Sequence, residues 1–500
     1  MKRHLIRSDG QEDLCFALCH LSNGEHRITG LINEVIYPEE GDRNIHGNVS
    51  FNSQYFDKVT QRALLENKGI VFIHSHPFPG WQNMSFDDFK AEEEMSPRVK
   101  VISDIPLIGM TVGSNGDWSA RFWIKTKPKE YKPIWCESVR VVGRNISITF
   151  NENYYKTVNF GEEISRTISA WGNNKQKIIS RLKIGIVGIG SVGSHIAEAV
   201  MRTGFQEIKL IDFDIIERKN LDRLPGISSK DIGYLKTDIF AQNLEELKLF
   251  PFQCVNSIPY SVFESNGIKA ALDCDILFCC VDKPRARFVL NCIAYSSLIP
   301  VIDGGIDASF SEHKDNIDQA RWRTFVASPQ RRCKKCMGQY KPEDVALEQS
   351  GLLEDPKYIK GLPKDHFINR GENVYGFSLG LAGLQFQQLL SYILKPKNVV
   401  YGPKEMDFIT GNIDFKFSFQ CDHDCEFNDM IGLGDLITDS LIDNFPLAEE
   451  IRGKALAIEN GNQKQVGTSK LFRIYNIIKR IRNLHLFRFH QKKTKNQCHP

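Results

Sequence analysis

The stretch KIGIVGIGSVGSHIAEAVMRTGFQEIKLIDFD limits the fold of this chain more than any other. An apolar run from Lys183 leads into a glycine-rich turn, a helical pattern and a second apolar run, which is the signature of a βαβ unit. Such a unit commits its two strands to a parallel sheet, and a parallel sheet needs helices over its faces. Gly188, Gly190 and Gly193 fall between strand and helix, where backbone can approach phosphate oxygens and a helix N-terminus favours negative charge. DILFCCVD, from Asp275, predicts a further buried strand, and SLGLAGLQFQQLLSYIL predicts a strongly apolar helix.

The glycine pattern alone is shared by dinucleotide-binding enzymes, and Asp212 and Asp214 lie about 20 residues on, where a ribose-binding acid belongs. The residues after these acids favour adenylation. DFDIIERKNLDR runs into DIGYLKTD, so Asn220, Arg223 and Lys236 come after the acids. Hydride transfer has no need of several cations near the phosphates. Attack on a nucleotide α-phosphate does, because charge builds on the phosphoryl oxygens and on the leaving pyrophosphate. Asp282 closes the buried run at the carboxyl edge of the sheet, where an acid could hold magnesium.

Residues 1 to about 150 have a different texture: short strand-like runs between polar turns and one helical pattern near Phe56 to Glu66, which predicts a small mixed α/β domain. KGIVFIHSHP ends a strand with His74 and His76 at i and i+2, so both rings share a face. Ser85 and Asp88 have the spacing of a helix N-cap and its N3 partner. Two histidines and one carboxylate, with a fourth position for water, make a catalytic zinc set. A separate carboxylate must then take the proton, and Glu12, at the start of the first strand, is the candidate base. Glu34 is its rival, as Asp87 is the rival of Asp88. KTKPKEYKP reads as a weakly ordered connector or exposed loop, and Gly338 to Phe377 as a long irregular crossing segment.

Cys333 and Cys336 form CKKC, and Cys421 and Cys425 form CDHDC after 84 intervening residues. Two close thiolate pairs can make a tetrahedral structural zinc site, with His423 as a competing ligand. Thirteen irregularly spaced cysteines in 500 residues argue for reduced thiols. No run approaches the ~18 apolar residues of a membrane span, the start lacks a secretory core, and a cytoplasmic location is expected. The net charge of +3 gives no argument for nucleic acid. From Asn460 to Pro500 there are ten Lys and Arg and no acidic residue, a basic tail with near-helical apolar spacing. It reads as a terminal helix packed on the body, with an acidic partner or a membrane surface as the other reading.

Over residues 1–150, HSHPFPGWQNMSFDD resembles the motif of the JAMM (MPN, Mov34-like) metallopeptidases, which cut after the C-terminal glycine of ubiquitin-like proteins. The resemblance implies a JAB/MPN domain in which His74, His76 and Asp88 hold zinc, Glu12 is the base and Ser85 donates to the oxyanion. Over residues 161–428, the glycine loop and the acids and cations after it resemble the ThiF/MoeB and ubiquitin-activating superfamily. That resemblance implies an α/β, Rossmann-like domain with a mainly parallel sheet. Asp214 would bind ribose, Asn220, Arg223 and Lys236 the phosphates, and Asp282 magnesium, with Arg166 reaching the ATP of a partner protomer in a homodimer. Ser191 and Leu224 depart from the usual glycine and glutamine. The superfamily's four-cysteine zinc site has the same order as the cysteines here. The cysteine that carries a thioester in some members has no counterpart between Met337 and Gln420, and Ser350 is the lone Ser or Thr between Gly338 and Phe377 that could take its place.

Together the resemblances imply a bacterial bifunctional enzyme. It would trim or deconjugate a ubiquitin-like protein and adenylate its C-terminal glycine, with a ubiquitin-conjugating-like enzyme as a further partner. A sulfur carrier serving cofactor, cysteine or siderophore synthesis is the alternative substrate, and a scaffold with relic sites is the non-enzymatic reading. Residues 429–500 form the remaining C-terminal region.

Overall fold

The computed structural model describes residues 1–156, 158–310, 317–354, 356–361, 374–415 and 420–465. It is a mixed α/β protein built on two principal sheets. The amino-terminal sheet has six strands in the order Ile28–Ile36, Leu14–Asn23, Gly69–Ser75, Ile108–Val112, Trp118–Lys127 and Glu130–Trp135. Gly69–Ser75 is central and buried along its whole length, so it reads as an unbroken apolar run. Its side chains alternate faces. Ile70 and Phe72 pack with Leu14, Phe16 and the helices Ser53–Glu66 and Phe86–Ser103, while Val71 and Ile73 pack with Cys15, Ala17 and Met110. His74 therefore points to the helix-covered face.

KTKPKEYKP is not a loose connector. Trp118–Lys127 and Glu130–Trp135 form a hairpin across it, with Lys129 at a φ of 65° in the turn. Pro133 is tolerated because Glu130–Trp135 is an edge strand, and Tyr131 anchors that strand in the core.

The second sheet has eight strands in the order Cys254–Ile258, Glu207–Ile211, Lys183–Val187, Ile276–Cys279, Val301–Phe310, Ile317–Ala327, Lys404–Asp407 and Ile413–Phe415. The first five are parallel and the last three extend the sheet antiparallel. Helices Ser191–Thr203 and Tyr375–Leu394 cover one face, with Ile196, Val200 and Leu389 in the main core. Pro284–Ser296 lies in the core of the other face. The segment from Gly338 to Phe377 is more regular than its composition suggests. It contains helices Pro342–Gln349 and Pro356–Lys360, each opened by the proline that makes it look irregular, and residues 362–373 lie outside the described set. The helix Pro446–Gln465 ends the described chain, and the basic tail beyond it lies outside the described residues.

The two halves meet through polar contacts at the tip of the Leu14–Asn23 and Ile28–Ile36 hairpin. The Asp273 carboxylate accepts from the His26 and Arg27 amides at 3.0 Å and from Lys209 Nζ at 2.7 Å. Asp275 accepts from Arg27 at 2.8 Å and from Arg140 at 3.2 Å. The hairpin of Ser138–Val142 and Ile146–Phe150 also joins the second body, since Ile146 and Phe150 belong to its core. Among the described residues no helix is long and apolar enough to cross a membrane.

Candidate functional site

In the amino-terminal sheet the ladder pairs Leu14 with His74, so Glu12, two residues earlier, is aligned with His76. Helix Phe86–Ser103 opens over this corner. Ser85 caps it through a reciprocal pair, the Asp88 amide donating to Ser85 Oγ at 3.1 Å and the Ser85 amide to Asp88 Oδ2 at 2.8 Å. The cap turns the Asp88 carboxylate onto the histidines. His74 Nε2 and His76 Nε2 are 3.2 Å apart, and Asp88 oxygens lie 3.3 Å from the first and 3.2 Å from the second. Three donor atoms so close, from the residue types zinc prefers, suit one cation. His74 Nδ1 is buried without a hydrogen-bond partner among the described residues, so the contacts of this ring's nitrogens are all made at Nε2. Burial works to raise the Asp88 carboxyl, but the two rings hold it well below the usual carboxylate range. Burial pushes the Glu12 carboxyl up, His76 and His74 pull it down, and Asp88 adds to the rise. Glu12 is thus electrically part of the cluster. Glu34 is engaged elsewhere, with Arg62 at 2.6 Å and Lys68 at 3.7 Å, and Asp87 is exposed outside the cluster.

At the second sheet the strand order reverses at Lys183–Val187, between its neighbours Glu207–Ile211 and Ile276–Cys279. Ligands of open α/β sheets bind at such switch points, at the carboxyl edge. Gly188 has a φ of 92°, and a Cβ there would fall 2.6 Å from the Cys280 carbonyl oxygen. A Cβ at Gly193 would fall 2.0 Å from the Gly188 carbonyl oxygen. At Gly190, the N-cap of helix Ser191–Thr203, no atom lies within 4 Å of the equivalent point, so this turn keeps space beside the helix N-terminus for an anion.

Asp212 is the residue whose part the sequence does not reveal. One of its oxygens accepts from the Ile189 amide in the glycine loop at 2.6 Å and the other from the Asp214 amide at 2.8 Å. The signal available is its position directly after strand Glu207–Ile211. Asp214 turns instead to Lys236, whose Nζ donates to it at 2.8 Å. Burial works to lower the Lys236 ammonium, but Asp212, Asp214 and Asp282 hold it above its ordinary value. Asp282 is exposed at the carboxyl edge, close enough for its charge to act on Lys236. Arg223 bonds locally, to the Lys219 carbonyl and to Asp222 at 3.0 Å. Asn220 is buried, with its side-chain oxygen accepting from the Glu217 amide at 2.9 Å. Arg166 is exposed on helix Ser165–Trp171. Ser350 caps the end of helix Pro342–Gln349, exposed, and its hydroxyl donates to the Leu347 carbonyl at 2.9 Å.

The four cysteines converge. Cys425 Sγ lies 3.8 Å from Cys333 Sγ and 3.6 Å from Cys336 Sγ, and the Cys333 amide donates to Cys421 Sγ at 3.1 Å. Hydrogen bonding with Cys333 pulls the Cys421 thiol down to about 5 against its burial. Four sulfurs with backbone donors fit a tetrahedral ion. His423 is fully exposed and pairs with Asp424 at 3.2 Å, outside the cluster.

A doubly covered, largely parallel sheet with a glycine loop at its switch point defines a Rossmann-like α/β protein. Residues 164–423, more than half of the chain, match the ThiF family, and the chain belongs to that family. It is 27% identical over 138 residues to the "Adenylyltransferase and sulfurtransferase UBA4" of Meyerozyma guilliermondii, covering 27% of this chain and 32% of that protein. It is 30% identical over 127 residues to the "Ubiquitin-like modifier-activating enzyme 5" of Arabidopsis thaliana, covering 23% and 29%. The chain thus spans about a third of the length of these curated relatives. Among solved structures, E. coli MccB with ATP aligns with 54% of this chain and 74% of its own at 19% identity, with a TM-score of 0.40.

Proposed function

We propose that the chain adenylates the C-terminal glycine of a small ubiquitin-fold protein of the sulfur-carrier type. The observation that carries this reading is the junction of Asp212, the glycine loop, Asp214 and Lys236 at the switch point, in a chain of the ThiF family. The glycine carboxylate oxygen attacks the α-phosphorus of ATP, the bond to the β-phosphate oxygen breaks, and pyrophosphate leaves. The loop amides and the helix N-terminus hold the phosphates, Asp214 meets the ribose, and Lys236, Asn220 and Arg223 offset the charge that grows on the phosphoryl oxygens. Asp282 would hold magnesium, whose charge offsets that of the pyrophosphate. Arg166 would complete the site of a partner protomer. The name of the UBA4 relative, which joins adenylyl transfer to sulfur transfer, supports a sulfur carrier, while that of the Arabidopsis relative keeps a conjugated modifier as the other outcome. With no cysteine between Met337 and Gln420, the acyl-adenylate itself is the product handed on, ahead of an ester on Ser350.

A second reading is favoured by the His74, His76 and Asp88 cluster: a JAMM-type zinc hydrolase that exposes the same glycine. A zinc ion at these donors supplies Lewis acidity. Glu12 would take and return the proton. Ser85 Oγ, which accepts from the Asp88 amide, keeps its own hydrogen to donate to the oxyanion.

Intact-mass analysis of a ubiquitin-fold candidate incubated with the protein and ATP tests both readings. Gain of AMP, with pyrophosphate exchange, supports the first, and loss of a C-terminal extension supports the second. Absence of exchange with any candidate bearing a C-terminal glycine refutes adenylation. Thiocarboxylate as the later product selects the sulfur carrier, and isopeptide-linked products select a conjugated modifier.

A further inference from the structure

Helix Phe86–Ser103 brings Asp88 to the histidines, and one turn on it carries Glu92, which is wholly buried. Arg121, from strand Trp118–Lys127, grips that carboxylate through Nε at 2.9 Å and also through Nη2, and Trp123 Nε1 donates to it at 2.5 Å. The sheet is bare beneath: a Cβ on Gly109 would fall 2.0 Å from a Glu92 oxygen. The remaining arm of Arg121, Nη1, donates to Thr111 Oγ1 at 2.9 Å. Thr111 pairs in register with His74 on the adjacent strand, and its hydroxyl lies 3.4 Å from His74 Nε2. One buried ion pair therefore ties the helix that supplies Asp88 to the strand beside His74. For stability alone such a pair is a poor device, because desolvating two charges costs about as much as their attraction returns. What it adds over apolar packing is direction, since a bidentate fork fixes both the height and the rotation of the helix over the sheet.

We propose that Glu92 and Arg121 are positioning residues for the metal triad, locking helix Phe86–Ser103 so that Asp88 meets His74 and His76. This rests on the reading of those three residues as a metal site. The test is equilibrium cobalt(II) titration of the full chain, with thermal unfolding of each variant. Cobalt at the cysteine cluster is counted separately by its sulfur-to-metal charge-transfer band. E92Q is expected to weaken the non-cysteine cobalt site by about tenfold, the lower end of the cost of losing a group bonded to a ligand, because Glu92 acts through the helix and Arg121. The double variant E92M/R121L removes both charges at similar volume. It is expected to melt within a few degrees of wild type and still bind cobalt at least about tenfold more weakly. Wild-type affinity in the double variant, or in folded E92Q, overturns the positioning role and leaves the pair merely structural. If E92Q does not fold, the double variant alone decides. If wild type and H76A take up the same number of cobalt ions, the metal-site reading itself fails and the positioning role falls with it.

Discussion

Cys333 and Cys336 meet Cys421 and Cys425 across 84 residues of intervening chain, whereas His74, His76 and Asp88 come from one strand end and the helix after it. The first cluster closes on itself with four sulfurs and joins two segments that are distant in sequence. The second offers three donors on elements already fixed by an aromatic core, and leaves a position open. A closed set suits a structural ion and an open one suits chemistry. A metal lost from the first should cost folding, and one lost from the second should cost function.

The largest effect is expected at the closed cluster. C421S should remove one bound zinc and lower unfolding stability by about 3 kcal/mol or more, read by denaturant titration with metal analysis, because binding free energy at such a site is folding free energy. If stability is unchanged, the contrast collapses. K236A should lower ATP–pyrophosphate exchange about 100-fold while leaving zinc content at both clusters unchanged. H76A should remove one metal equivalent yet change stability by no more than about 1 kcal/mol, measured by the same titration. A loss comparable to C421S would show that the open cluster is structural too.

The smallest effect concerns an ion pair remote from both clusters. Arg181 grips Glu152 at 2.8 and 2.6 Å and holds its carboxyl at about 2, against an ordinary 4.5. A carboxyl pKa that is depressed on folding stabilises the protein above its unfolded value, and that stabilisation fades as pH falls from about 4.5 towards 2. Glu152 is largely exposed, so E152Q should cost no more than about 1 kcal/mol at neutral pH and nothing near pH 2, read by unfolding at both.

The parts legible in the chain are those whose chemistry is written locally. GIGSVG marks its own turn, and His74 and His76 share a face because strand geometry repeats every two residues. CKKC brings half of its cluster with it. Contributions that depend on distant partners are hidden. Arg121 interrupts the apolar run WSARFWI as any exposed residue of an alternating strand would, and only the tertiary fold puts Glu92 beside it. Asp212 reads in sequence as an alternative to Asp214, and only the folded loop brings the Ile189 amide to claim it. KTKPKEYKP reads as a connector because an edge strand can carry lysines and a proline that a central strand cannot.

The hairpin tip that meets Asp273 and Asp275 has a logistical consequence. It lies at the Asn23 end of strand Leu14–Asn23, whereas His74 is paired with Leu14 at the other end, about 30 Å away for a strand of this length. On the far side of the joint, Asp275 stands at the amino end of Ile276–Cys279, and the glycine loop at the carboxyl end. The histidine cluster and the glycine loop thus each lie at the end of a strand away from the joint. If both proposed activities serve one carrier, release and renewed docking would make its free concentration, and not a tether, set the pace of the handover.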